Sequence, residues 1–297
     1  MSSGSRTAQI RRQRDIGDRA IRDRAVARTR QKPSRECQVT ATVHQDPETF
    51  GATAADTDKK PWALVATPAV ILAMTLGLIV YLKSVEIDSA MAASLNVSFV
   101  TSKIVEHVSL TAVSTVLVLL TAIPLGILLS RKKTKAMSPF ILTAANMAQG
   151  APAIGVVALL AVWFGIGFWP AVVALSLYSI LPALRNTLVG LEQVDPALID
   201  AGRGIGMSAT KVLFRVELVL AVPVILAGIR TTLVLNVGVA SLATFIGSGG
   251  LGELIVVGVT QYQFPVLVTG SILIALLALT IDWIAAIAER ALHPKGV

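Results

Sequence analysis

Six stretches of this chain stay apolar for about 20 residues, the length a helix needs to cross a bilayer core about 30 Å thick. They lie near residues 62–82, 108–129, 139–164, 170–191, 223–246 and 265–288. Pro139, Pro170 and Pro265 stand at the starts of spans, where a missing N–H costs nothing and the fixed φ suits a first turn. Pro68, Pro124, Pro152 and Pro182 fall inside spans, where prolines are tolerated as kinks if neighbours satisfy the freed carbonyl. The expected fold is an all-α integral membrane protein with six transmembrane helices. Composition agrees: 54% of the 297 residues are hydrophobic and 15% charged, against about 25% charged in an ordinary soluble domain. A soluble protein this apolar lacks the polar side chains to cover its own surface. That argues against a soluble enzyme, and the composition also argues against a disordered chain, a disulfide scaffold or a coiled coil. Cys37 is the sole cysteine, so no intrachain disulfide forms and a thiol-ligated metal site is not expected.

The net charge of +8 is unevenly placed. Residues 1–61 carry 13 Lys/Arg against 8 Asp/Glu, and residues 62–297 carry 13 against 10. Loops rich in Lys and Arg stay in the cytosol. On that rule the N-terminal tail is inside, and residues 83–107, with Lys83 and Lys103 against Glu86, Asp88 and Glu106, are outside. Arg131, Lys132, Lys133 and Lys135 are inside, and the turn at 165–169 is outside. Arg203, Lys211 and Arg215 are inside; residues 247–264, without Lys or Arg, are outside; Arg290 and Lys295 are inside. Every loop agrees, which predicts a multi-pass plasma-membrane protein with both termini in the cytosol. A nucleic-acid partner would rest on the tail alone and is not expected.

Residues 1–61 contain no apolar run, so no secretory signal peptide is read there. Residues 9–30 are Arg-rich and hold opposite charges four apart, such as Asp15/Arg19 and Asp18/Arg22, which support a solvated helix only weakly. Residues 33–60, rich in Thr, Ala, Asp and Pro, read as a disordered linker. The tail is expected to be a mobile orienting segment; an arm touching anionic lipid headgroups is the functional alternative.

The loop between the fourth and fifth spans is long yet unlike a linker. Asp195-Pro196 reads as an N-cap followed by Pro at the first helical position. A short helix follows through Ala197, Leu198, Ile199 and Asp200 to Ile205, and Gly206 takes φ > 0 to end it. Ser208 caps a second helix from Ala209, in which Val212, Leu213, Val216, Val219 and Leu220 share one apolar face while Lys211 and Arg215 share another. A cytosolic helix–turn–helix with its own caps reads as a docking element; the alternative is an interfacial helix pair that only supports the bundle.

Asp200-Ala201-Gly202, three residues, Gly206, nine residues, then Val216-Glu217-Leu218 resembles the EAA loop of ABC-importer permeases. That family's pattern is Glu-Ala-Ala, three residues, Gly, nine residues, Ile-x-Leu-Pro. The neighbouring stretches resemble the glycine betaine/carnitine/choline (osmoprotectant) branch: Ile123-Pro-Leu-Gly-Ile127, Leu181-Pro-Ala-Leu-Arg-Asn186, Phe214-Arg-Val-Glu-Leu218, Pro223-Val-Ile-Leu-Ala-Gly-Ile-Arg230 and Gly247-Ser-Gly-Gly-Leu-Gly252. The resemblance covers residues 107–290. The chain departs from the pattern at Asp200 for Glu, Gly202 for Ala and Val219 for Pro, and Gly202 loosens the first helix by up to about 1 kcal/mol. The domain reading is a basic tail at 1–61, a first transmembrane helix and external loop at 62–106, and a permease domain at 107–297 with its coupling loop at 192–218.

The resemblance implies that Asp195, Pro196, Asp200, Ala201, Gly202, Gly206, Lys211, Arg215 and Leu218 form the surface that couples to cytosolic ABC ATPase subunits. It implies further partners: a second permease copy or paralogue, an extracytoplasmic substrate-binding protein, and the lipid bilayer itself. It also implies that the chain is not an enzyme and binds no cofactor of its own, with ATP and Mg on the partner ATPase. In keeping with that, no Gly-x-x-x-x-Gly-Lys-Ser/Thr run occurs.

The expected pathway and gate residues are Asn146, Gln149, Pro152, Asn186, Asn236 and Ser241, with Gly247, Gly249, Gly250 and Gly252 as a moving outer gate. Polar side chains in spans also serve as interhelical glue, and the glycines also suit a tight turn. Arg185, Arg230 and Asp282 are expected to snorkel to the cytosolic interface; pairing of Arg230 with Asp282 is the alternative. His44, His107 and His293 lack metal-ligand spacing. Trp163, Phe164, Phe168, Trp169 and Tyr178 suit an interfacial belt better than an aromatic cage for a quaternary ammonium ion.

The expected function is translocation of glycine betaine, choline or carnitine as the permease subunit of an ATP-driven importer. Methionine or another polar solute is the alternative within the same machine. An ion-coupled secondary transporter would need an essential intramembrane carboxylate, for which Asp282 is the candidate, and often inverted repeats. A membrane scaffold would not need the capped helix pair.

Overall fold

The computed structural model describes residues 62–292. The tail, with Cys37, His44 and the charge pairs of residues 9–30, lies outside the described residues, as do His293 and Lys295. Among the described residues the regular structure is helical. The elements are α1 (Trp62–Ser84), α2 (Ser89–Ser94), α3 (Val97–Leu129), α4 (Ser138–Gly150), α5 (Ala153–Phe164), α6 (Phe168–Glu192), α7 (Pro196–Gly204), α8 (Ala209–Val212), α9 (Leu218–Ala243), α10 (Gly252–Thr260) and α11 (Phe264–Leu292). Five helical stretches are each long and apolar enough to cross a bilayer, which makes this a multi-pass membrane protein.

The third expected span is not one helix. Its limbs α4 and α5 meet at a bend of 98°. Pro152 disfavours the α region for the residue before it, and Ala151 is extended at φ −70°, ψ 149°. At 1.5 Å per residue the limbs are only about 18–20 Å long, so neither spans alone. Hydropathy registers the apolar run but not the break within it.

The region expected as an outer loop at 83–107 is also largely helical. Asp88 caps α2 by accepting from the Met91 N–H at 2.8 Å, and Asn96 caps α3 by accepting from the Ser98 N–H at 2.9 Å. Thr101, Ser102, Lys103, Glu106 and Ser109 make the first turns of α3 polar, so an apolar window starts too late. The boundary drawn between residues 106 and 107 falls inside this 33-residue helix. Residues 247–264 likewise contain a helix, α10, rather than loop alone.

The core is the packing of α3, α6 and α9. Apolar layers of Leu110, Leu175 and Ala240, then Val118, Ala122 and Leu184, fill it from one end towards the other. Small residues let the backbones approach, as membrane helices require where lipid supplies no hydrophobic drive. At Gly228 on α9, a Cβ would lie 2.6 Å from the Asn186 Cβ and 2.9 Å from the Pro182 carbonyl oxygen on α6. At Gly126 on α3, it would lie 2.7 Å from the Thr187 Cγ2.

Candidate functional site

The segment joining α6 to α9 is built from local rules that the sequence spells out. Asp195 accepts a hydrogen bond from the Ala197 N–H at 2.8 Å and Pro196 opens α7. At the other end the Met207 N–H donates to the Gly202 carbonyl at 3.1 Å and the Gly206 N–H to the Arg203 carbonyl at 2.9 Å. Those two bonds are a Schellman motif, which needs a left-handed residue at its hinge, and Gly206 supplies it at φ 86°. Ser208 then caps α8 through the Lys211 N–H. Gly202, the departure from the family's Ala, is buried, and a Cβ there would sit 3.3 Å from Cγ2 of the buried Val212. The small residue lets the two short helices close on each other.

The second short helix does not end before the fifth span. A π turn over Leu213–Glu217 joins α8 directly to α9, and Pro223 lies inside α9 rather than at its start. One inserted residue rotates everything beyond it by about 100°. The apolar face expected over residues 212–220 is therefore broken: Val212 and Glu217 turn inward, while Val219 is exposed. Leu218 packs with Leu191, Ala221 and Ile225. Asp200, Ala201, Lys211 and Arg215 are exposed, and so are the apolar side chains of Leu198, Ile205 and Phe214, at 47%, 77% and 62%.

Glu217 enters the sequence reading only as a motif position and not among the expected coupling residues, yet it forms a two-bond ion pair. The Arg131 guanidinium, just beyond α3, grips its carboxylate through both oxygens, at 3.2 Å and 2.5 Å. The Glu217 side chain is 6% exposed, so removing Arg131 alone leaves a buried charge unpaired. Nearby, Lys135 pairs with Glu192 at 2.9 Å, a solvated contact worth little. The sequence signals for Glu217 are its place in the Val216-Glu217-Leu218 stretch and an acid within an apolar helical run.

At the opposite end of the bundle the glycine-rich loop is clasped to α3. The Glu106 carboxylate accepts from the Gly250 N–H at 2.9 Å, and His107 Nδ1 accepts from the Leu251 N–H at 3.3 Å. Because Nδ1 accepts, Nε2 carries the hydrogen and donates to the Val237 carbonyl of α9 at 3.0 Å. Lys103 bridges Glu106, at 3.0 Å, and Glu253, at 2.5 Å. Gly247, Gly249 and Gly250 all have positive φ, and a Cβ at Gly250 would lie 3.1 Å from His107 Nδ1. Gly252 starts α10 against the Ser241 carbonyl and the Thr244 hydroxyl, with no room for a side chain. The loop borders an open depression of about 520 Å³ lined by Lys103, Glu106, Ser248 and Glu253.

The candidate pathway residues scatter. Asn146 is exposed and Gln149 half-buried on α4, and Pro152 stands at the bend. Asn186 packs against Gly228, and Ser241 donates to the Gly238 carbonyl of its own helix at 2.7 Å. Asn236 is fully buried. Its amide donates to the Thr115 hydroxyl at 2.9 Å and its carbonyl accepts from the Ser179 hydroxyl at 2.5 Å, so it joins α3, α6 and α9. Asn236→Ala is expected to lower stability by about 1–2 kcal/mol, read as a fall in the thermal midpoint in detergent. Arg230 and Asp282 do not snorkel separately: they form a two-bond ion pair between α9 and α11, at 2.6 Å and 2.7 Å, with Glu289 3.6 Å away. Arg185 is exposed on α6.

Residues 122–294 match the family of binding-protein-dependent transport system inner membrane components. The chain is 42% identical over 195 residues to the choline transport system permease protein OpuBB of Bacillus subtilis (strain 168), covering 66% of this chain and 89% of that one. It is 39% identical over 207 residues to the osmoprotectant import permease protein OsmW of Salmonella typhimurium, covering 68% and 95%. In fold it is similar to a chain of the inward-facing MetNI methionine ABC transporter, with a TM-score of 0.58 and 23% identity over 65% of this chain and 95% of that one. With a matched family domain running from α3 through α11, this chain belongs to the binding-protein-dependent transport system inner membrane components, the permeases of ABC importers.

Proposed function

We propose that the chain is the transmembrane subunit of an importer for an osmoprotectant such as choline, glycine betaine or carnitine, driven by ATP that a separate ATPase subunit hydrolyses. The observation that carries the coupling is the capped α7–α8 pair with the π turn after it: this one short segment exposes the apolar side chains of Leu198, Ile205 and Phe214 together with Asp200, Lys211 and Arg215. Exposed apolar groups rimmed by charge mark a protein-docking surface. The occupant is a cytosolic ABC ATPase carrying ATP and Mg. The basic residues Arg131, Lys132, Lys133, Lys211 and Arg215 support a cytosolic orientation of this end of the bundle. The glycine-rich loop then faces outward, towards an extracytoplasmic binding protein, and a second permease copy or paralogue completes the pathway. The substrate class follows the names of the relatives at about 40% identity.

The reading is tested by purifying the tagged chain from its native host in mild detergent and identifying what accompanies it. A stoichiometric ATPase, lost in Ile205→Asp/Phe214→Asp while the chain still inserts, is the expected result. A chain that stays alone in several detergents overturns it and favours an ion-coupled transporter. Uptake of radiolabelled glycine betaine, choline, carnitine and methionine in a host lacking its own carriers then separates the substrates.

A further inference from the structure

Helices α3 and α9 are tied to each other at both ends. At the basic end the Arg131–Glu217 fork joins the chain two residues past α3 to the π turn that leads into α9. Arg131 is anchored on its own side as well: its Nε donates to the Ile127 carbonyl at 3.2 Å and to the Ser130 hydroxyl at 3.1 Å. At the other end His107 joins α3 to α9 through the Val237 carbonyl. Glu106 and His107 together hold the Gly250 and Leu251 N–H groups. From His107 to its end at Leu129 the helix covers about 33 Å and is continuous through Pro124.

We propose that Arg131 and Glu217 are positioning residues for transport: they make α3 move with the 195–218 segment, so that motion imposed there reaches the glycine-rich loop through Glu106 and His107. Three features argue for transmission rather than charge compensation alone. A two-bond guanidinium–carboxylate fork fixes orientation as well as distance, which a lysine cannot do. Glu217 closes the π turn that continues α8 without a break, so a shift of the α7–α8 pair carries the carboxylate with it. At the far end both ring nitrogens of His107 are engaged and Gly250 lies close against the ring. The loop therefore has little local slack with which to absorb a movement of α3. A lone α9 would pivot past α3; a pair tied at both ends tilts as one frame.

The inference rests on the reading that the 195–218 segment docks on an ATPase, so ATPase capture is measured in the same preparations. The complex is purified through the tagged chain, reconstituted in liposomes with its binding protein, and assayed for radiolabelled glycine betaine transported per ATP hydrolysed. Arg131→Gln/Glu217→Gln removes both charges together and leaves none buried and unpaired. It is expected to retain ATPase capture and its thermal midpoint while transport per ATP falls about tenfold. Arg131→Lys, which keeps the charge and loses the fork, is expected to fall about threefold. An unchanged ratio in the double variant overturns the inference. If the double variant does not fold, the lysine variant decides in the same way: a lowered ratio supports the linkage and an unchanged one overturns it. An unaltered chain that captures no ATPase removes the docking reading and the linkage with it.

Discussion

Gly206→Pro is expected to abolish uptake while leaving the chain inserted in the membrane. Gly206 sits at φ 86°, which a proline ring locked near φ −65° cannot adopt. The substitution also deletes the N–H that donates to the Arg203 carbonyl, one of the two bonds of the Schellman motif. The chain must leave α7 in another direction, so α8 no longer closes on Gly202 through Val212, and the exposed Leu198 of α7 loses its fixed relation to Phe214. No apolar span includes Gly206, so insertion should persist. Uptake of radiolabelled substrate should drop by at least about tenfold at unchanged membrane abundance. Gly206→Ala is the graded control: a left-handed alanine costs about 1–2 kcal/mol, so uptake should fall less. Wild-type uptake in Gly206→Pro would remove this turn from the mechanism.

Gly228→Leu is expected to prevent folding altogether. A Cβ at this position would already lie 2.6 Å from the Asn186 Cβ and 2.9 Å from the Pro182 carbonyl oxygen. That carbonyl is backbone and cannot rotate away, so α6 and α9 must separate along one of the most extensive helix contacts in the bundle. Overpacking commonly costs about 1–3 kcal/mol, and a separation here also opens the Thr115–Asn236–Ser179 network. Loss of monodisperse protein in detergent checks the expectation, and Gly228→Ala should fall between. Gly238, also on α9 but exposed with open space beside it, should accept alanine with little change.

Much of the 195–218 segment is legible in the sequence because its rules are local. A cap reads a side chain two or three residues from the helix it starts, and Asp195 and Ser208 both act as caps. The π turn at Leu213–Glu217 is not legible, since no residue there departs from an ordinary helical pattern. Its consequence, Glu217 inward and Val219 outward, overturns the expected face. The bend at Ala151–Pro152 is half legible: the proline signals a kink, but nothing in one dimension says that a neighbour permits a turn of 98°. The charges in the spans read singly as snorkelling groups, and Arg230 and Asp282 meet across two helices instead.

The sequence by itself determined where the apolar stretches lie, how the chain turns between Asp195 and Ser208 and which end of the bundle is basic. Each depends on neighbours along the chain: hydropathy over one span, a cap within one turn, one glycine's φ, the Lys and Arg beside a span. Only the tertiary structure decided that Arg131 meets Glu217, 86 positions away, that Glu106 and His107 clasp a loop 144 positions away, and that Asn236 bonds inward to Thr115 and Ser179. Those contacts depend on distance through space between helices, and that distance is set by packing at small residues such as Gly228, Gly126 and Gly252.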